Sequence, residues 1–272
     1  MQKSVRAFFF VHRAPCTVYH FCNMKLLILL LHLFGFGKTK PAPPAQDGAD
    51  IREEEKDIIE VQEVRMINTV DSMFHWILDP GHGPMTKGKQ SAPLEDGLPL
   101  YEYEFNHDIV ARVSKILEEK NIAHSQTVYL HPNLGNDLNL RSESANRKKT
   151  NKPKRLVSIH GNGIGLQPGE AWRNDIEGTE TWIHPNASIE SEEMARVFQH
   201  NLVRRMMSTD RGVKRANFHM LRKTKMPSVL LEVDFLLTNQ PLAIQAMTDE
   251  YRDAVAESIV ESILEVEFNY VS

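Results

Sequence analysis

The stretch Phe74-His75-Trp76-Ile77-Leu78-Asp79-Pro80-Gly81-His82-Gly83 sets an apolar run against an abrupt turn. His75 to Leu78 has the length and residue types of a short buried strand, and Pro80 with two glycines turns the chain sharply after it. His82 is thereby presented at the strand's C-terminal edge, where ligands collect in α/β folds. The same architecture recurs at Leu156-Val157-Ser158-Ile159-His160-Gly161-Asn162-Gly163. A lone histidine in a turn is ordinarily a surface residue. A pair of them, each at a strand end beside small residues, suits a metal ion: neutral imidazole is a common zinc ligand, and glycine leaves room for metal and substrate.

Around these two runs, short β-like segments alternate with longer helical ones, the pattern of helices packed about a sheet. Further strands are expected at Thr127–Leu130, Thr179–Ile183, His219–Leu221 and Val229–Val233. Between them, apolar residues recur at helical spacing: Phe105, Ile109, Val113, Ile116 and Leu117; Met194, Val197, Phe198, Leu202 and Met206; and Val255, Ile259, Ile263 and Val266. Ser188 followed by Glu190, Glu192 and Glu193 places an N-cap residue and then carboxylates where a helix dipole favours them. The expected fold is α/β, a single catalytic domain over residues 71–272 with helices on both faces of its sheet.

Of the 272 residues 41% are hydrophobic and 25% charged, enough for a sizeable core, and the formal charge of -4 gives no overall attraction to nucleic acid. The one basic run, Arg147-Lys148-Lys149 with Lys152, Lys154 and Arg155, reads as a solvated loop, and no nucleic-acid partner is expected. Both cysteines, Cys16 and Cys22, lie near the N-terminus, which excludes thiol nucleophiles and disulfides from the domain. Residues 1–37 read as an extension in which Met24 and Lys25 open the apolar run Leu26–Gly37, of signal-peptide rather than membrane-spanning length. Export or envelope association follows, with membrane attachment through that run, and a cytoplasmic phage enzyme is the alternative. Gly35–Lys40 (GFGKTK) is no phosphate-binding loop, because His32 stands where the pattern needs glycine. Residues 38–70 form a proline-rich linker and a charged segment, Ile51–Val64. A monomer is expected.

A catalytic zinc site takes three protein ligands and leaves a position for water, so an acidic third ligand is sought. Glu102 and Glu104 both stand at the start of the helix that carries Phe105. Glu232 ends the apolar run Val229-Leu230-Leu231, where a carboxylate is costly without a task; beside a metal-bound water it would act as a general base. The other histidines, such as His75, His107, His124, His184 and His200, lack this context.

Together these pieces resemble the zinc-dependent N-acetylmuramoyl-L-alanine amidases, the type 3 amidase family. The resemblance rests on DPGHG at Asp79–Gly83, EYEFN at Glu102–Asn106, LRSESAN at Leu140–Asn146, SIHGN at Ser158–Asn162 and LRKTKMPSVLLEVDFLLTN at Leu221–Asn239, in family order. It implies a twisted mixed sheet of about six strands, one zinc ion held by His82, Glu102 and His160, and Glu232 as the catalytic glutamate. It also implies a peptidoglycan substrate cut between N-acetylmuramic acid and L-alanine. Arg141, Asn162 and Asp234 are expected to bind substrate or support the ligands. Asp234 stands where the family often has glycine, which would bring a second carboxylate near the metal. The Gly88–Leu100 segment is longer than in many members, and Gly163–Gly178, with Trp172, is expected to form a flap beside the metal.

Overall fold

The computed structural model describes residues 71–86, 88–127, 137–164 and 172–269, so the N-terminal extension, linker and charged segment lie outside the described residues. The chain forms strands β1 (His75–Pro80), β2 (Gln90–Pro93) and β3 (Pro99–Tyr101), helix α1 (Glu102–Glu119), β4 (His124–Gln126), α2 (Leu138–Arg147) and β5 (Lys154–His160). It continues through β6 (Thr179–Ile183), α3 (Ile189–Met206), β7 (Asp210–Arg215), α4 (His219–Lys223), β8 (Ser228–Glu232), α5 (Gln240–Gln245) and α6 (Asp249–Asn269). Six strands make a mixed sheet in the order β4-β1-β5-β8-β6-β7, and β2 and β3 pair as a separate hairpin. Within the six-stranded sheet the described pairs are parallel except β6 against β8. The expected α/β sheet of about six strands is therefore present.

Two strand expectations need correction. His219–Leu221 is not a strand but the first part of the short helix α4, and the sixth strand of the sheet is Asp210–Arg215. Its sequence, DRGVKR, has no apolar run because β7 lies at a sheet edge, where charged residues face solvent and discourage edge-to-edge pairing. The strand expected at Thr127–Leu130 instead covers His124–Gln126, and residues 128–136 are outside the described set.

Alternation along the central strands gives the sheet two unlike faces. Trp76, Leu78, Val157, Ile159, Val229 and Leu231 point to one side and join the large core with Phe105, Ile109, Val113, Phe198, Ile259 and Ile263 from α1, α3 and α6. Ser188 caps α3 as expected, its Oγ accepting from Ser191 N at 3.3 Å. On the other face Ile77 and Leu156 join Ala145, Met220 and Met226 in a smaller cluster under α2 and α4. Burial of the C-terminal helix is fixed by Glu267, whose carboxylate accepts from Ser72 Oγ, Met73 N and Trp76 Nε1 at 3.0, 2.6 and 2.8 Å. Among the described residues no helix is long and apolar enough to cross a membrane.

Candidate metal centre

Beyond the smaller apolar cluster the same face turns polar. Register places Asp79 beside Ser158, and His160 beside Glu232, which in turn faces Glu180 on β6. Side chains two apart on a strand share a face, so the parallel strands deliver a row of polar groups to their carboxyl edge. A cavity of about 350 Å³ opens there, lined by His82, His160, Asn162, Phe218, Leu230 and Glu232 among others.

His82, Glu102 and His160 offer nitrogen and carboxylate atoms that all lie within 4.8 Å of one another. Glu102 Oε1 is 3.3 Å from His82 Nε2 and 3.1 Å from His160 Nδ1, and the two rings stand edge to face with centroids 4.9 Å apart. Each comes from a different local device. His82 sits in the left-handed backbone region at φ 63°, a conformation histidine adopts more readily than most residues, and this swings its ring inward from the turn. Glu102 opens α1, is 2% exposed and is steadied by Asn106 one turn on, which also donates to Gly81 O at 3.0 Å. Glu104, the other acid in that turn, is exposed and accepts from Tyr103 OH, which separates the two contenders. His160 ends β5, and a side chain at Gly81 would collide with its ring, a Cβ there lying 2.3 Å from Cε1.

A metal ion fits this donor set. Glu102 Oε2 and His82 Nδ1 are buried without any hydrogen-bond partner, as is Glu232 Oε2 nearby. Unsatisfied buried polar atoms are costly, and one carboxylate with two neutral imidazoles suits a borderline divalent ion such as zinc. Ser158 Oγ donates to Asp79 Oδ2 at 2.7 Å and lies 3.3 Å from His160 Nε2, so a proton on Nε2 would be accepted by Ser158 and Nδ1 would be the nitrogen free to hold a metal.

Electrostatics follow from burial. Burial alone would raise Glu102, but hydrogen bonds to both histidines outweigh it and hold the carboxylate well below its ordinary range. Burial lowers His82 despite Glu102; for His160 the bond to Glu102 and the charge of Glu232 overcome burial and raise it. Glu232 is pushed up to about 7, chiefly by burial, with His160 opposing and Glu102 adding to the rise. Lys89, on the hairpin side, lines the cavity and favours the charged form of Glu232.

The remaining expected residues divide. Arg141 is 1% exposed and ion-paired with Asp79 at 3.0 Å; its guanidinium also donates to the carbonyls of Pro80 and His82, clamping the turn that presents His82. Asn162 lines the cavity and donates to Glu180 Oε2 at 3.4 Å. Asp234 turns away: Gly178 N, Phe235 N and Ser208 Oγ donate to its carboxylate at 2.6, 2.8 and 2.7 Å. It tethers the segment after β8 rather than adding a second carboxylate at the cluster. Trp172 packs against the large core, and residues 165–171 of the expected flap lie outside the described set. Asp79, Asn106, Ser158 and Glu180 also shape the site without any pattern in the sequence that marks them, save that Ser158 is a polar residue inside the apolar strand Leu156-Val157-Ser158-Ile159.

A six-stranded mixed sheet bearing a His-Glu-His cluster that could hold a metal ion, with a further half-buried glutamate at its carboxyl edge, defines an α/β domain with a candidate metal centre. The family model for N-acetylmuramoyl-L-alanine amidase matches residues 77–265, and the chain belongs to that family. It is 30% identical over 201 residues to an uncharacterized cell wall amidase of Bacillus anthracis, with 70% of this chain and 34% of the relative covered. Identity is likewise 30% over 183 residues to the N-acetylmuramoyl-L-alanine amidase LytC of Bacillus subtilis, covering 67% of this chain and 33% of that protein. This chain thus spans about a third of each of those relatives. The crystal structure of N-acetylmuramoyl-L-alanine amidase from Clostridium difficile 630 superposes with a TM-score of 0.60 at 28% identity, covering 72% of this chain and 97% of that one.

Proposed function

We propose that this chain hydrolyses the amide joining N-acetylmuramic acid to the L-alanine of the peptidoglycan stem peptide. In this reading His82, Glu102 and His160 hold one zinc ion and Glu232 is the general base. The observation that carries it is the cluster of buried, partnerless atoms, His82 Nδ1 and Glu102 Oε2 beside Glu232 Oε2, at a cavity, in a chain of this family. A bound zinc ion supplies Lewis acidity, which acidifies water and favours negative charge on a nearby oxygen.

The protein's own groups do the rest. Glu232 takes a proton from the attacking water at one carboxylate oxygen, a task for which a group raised toward neutrality is suited. The same oxygen returns that proton to the departing α-amine of L-alanine, so the carboxylate is regenerated and the products are a glycan strand and a free stem peptide. Leu230 and Phe218 supply the apolar wall that limits water around this exchange. Arg141 and Ser158 hold the two histidines in place through the His82 carbonyl and His160 Nε2. Residues 1–37 and 38–70 act as export segment and linker for a monomeric catalytic domain over residues 71–272 in the cell envelope.

Digestion of purified peptidoglycan with and without a chelator, followed by mass spectrometry of the released ends, tests this reading. New N-terminal alanine on an intact glycan, lost with the chelator and restored by zinc, is the expected result. Cleavage within the stem peptide would instead assign a peptidase. Glu232→Gln should keep the fold and bound metal yet lose activity by about 100-fold or more. A fully active Glu232→Gln protein would remove Glu232 from the mechanism.

A further inference from the structure

Beside the cavity, and reached from it through Asn162 and Phe218, β6 and β7 carry groups that the proposed mechanism leaves unused. Glu180, opposite Glu232 in the ladder, is 4% exposed, and its Oε1 receives two cations, Arg211 Nε and Lys214 Nζ, each at 2.6 Å. Its other oxygen accepts from Trp182 Nε1 at 3.1 Å and from the cavity-lining Asn162. Arg211 and Lys214 are three apart, so a regular strand would send them to opposite faces. They meet because β7 carries an extra residue: Thr179 pairs with Asp210 but Thr181 with Val213. Gly212, at φ 79°, supplies the left-handed conformation that this bulge requires. Bulges of this kind re-aim side chains, and here the bulge brings two cations onto the one carboxylate of Glu180.

One buried carboxylate needs one counter-charge; the second leaves a net positive charge at the surface. Both side chains remain about a third open to solvent, 37% for Arg211 and 32% for Lys214, with donors to spare. Neither neighbouring acid is shown paired with them through its carboxylate: that of Asp210 accepts from Gln199 Nε2 and Gly212 N, and that of Glu177 accepts from Thr209 Oγ1, Glu177 meeting Arg211 through its main-chain oxygen. Aromatic surface adjoins them. Lys214 Nζ lies 5.5 Å from the Trp182 ring centre, and Trp182 packs 5.2 Å from Phe218, a ring 39% exposed that lines the cavity. The cations are thus held in position by Glu180 before any ligand arrives, and they are joined to the cavity by an exposed apolar shelf.

We propose that Lys214 and Arg211, with the Trp182–Phe218 shelf, form a subsite for a carboxylate of the stem peptide, so that the leaving half of the substrate lies along β6 and β7. This rests on the amidase reading, because the stem peptide is the anionic half of that substrate. Fixed cations exchange water for a carboxylate at low ordering cost, and the shelf covers the peptide's apolar parts.

The test is calorimetric titration of the intact protein with a synthetic stem tripeptide, as its free acid and as its carboxamide. The wild type should prefer the free acid by about tenfold, the contribution of one hydrogen bond to a charged group. Lys214→Gln should bring that preference close to unity, whereas Lys214→Arg should retain it, and unfolding midpoints of all three proteins should agree closely. Equal affinity for acid and amide in the wild type, binding of neither, or an unchanged preference in Lys214→Gln would overturn the subsite. Peptidoglycan digestion by the same preparations separates the two claims. A wild type that prefers the acid but releases no N-terminal alanine refutes the amidase reading alone.

Discussion

Arg141→Met offers the sharpest probe of what holds the centre in shape. Asp79 and Arg141 are each 1% exposed and paired at 3.0 Å, so the substitution removes one partner of a fully buried ion pair. Breaking such a pair costs about 3–5 kcal/mol, since a buried charge is left without compensation. Asp79 keeps Thr127 Oγ1 at 2.6 Å and Ser158 Oγ at 2.7 Å, which places the loss toward the lower end of that range. The carbonyls of Pro80 and His82 each lose a donor as well, adding roughly 0.5–1 kcal/mol apiece. A total near 4 kcal/mol results, a large part of the ~5–15 kcal/mol that a domain possesses.

The pH dependence gives this prediction its signature. Burial would raise Asp79, yet Arg141 and the two hydroxyl donors outweigh it and depress its pKa in the fold. A depressed carboxylate contributes stability that is present above its unfolded pKa, about 3.9, and lost as pH falls through the lower folded value. Without Arg141 the shift reverses, so protonating Asp79 relieves the variant. The gap between wild type and Arg141→Met in guanidinium unfolding should therefore narrow as pH is lowered from 7 to 4. The double variant Asp79→Asn/Arg141→Met should recover more than half of the loss. A gap below about 1 kcal/mol at pH 7, or strict additivity of the two substitutions, would refute the argument.

Two further outcomes follow from the same geometry. Gly81→Ala should force the His160 ring aside, costing about 1–3 kcal/mol in thermal or chemical unfolding and weakening zinc binding by about 100-fold; unchanged metal affinity would show that the ring has room to move. His75, lowered to about 4 by burial and by Lys148, His124, Lys154 and Lys152, resists the proton that the unfolded chain accepts near 6.5. Its contribution is therefore complete above 6.5 and declines as pH falls toward 4, and His75→Gln should flatten that part of the stability profile.

Several features were legible in the residues because local chemistry decides them. The turns after β1 and β5 follow from glycine and proline beside apolar runs, and the helical stripes at Phe105, Phe198 and Ile259 are the buried faces of α1, α3 and α6. Ser188 declares its cap in the same way. The edge strand was not legible, because β7 is exposed or only half-buried along its length and its charged residues carry no β pattern. Met220 and Leu221 in turn mimic a strand in a helix too short to show a period.

By itself the sequence determined which residue types stand at the ends of two apolar runs, and hence the chemistry that could gather there. Tertiary structure alone decided their partners. Strand register, a property of pairs far apart in the chain, brings Asp79 to Ser158 and His160 to Glu232 and Glu180. It turned Asp234 toward Gly178 and Ser208 rather than the cluster, since an oxygen bonds to whatever donor the packed chain brings within 3 Å. It also spent Arg141 on Asp79 and the His82 turn, because a buried guanidinium must find acceptors wherever the fold supplies them.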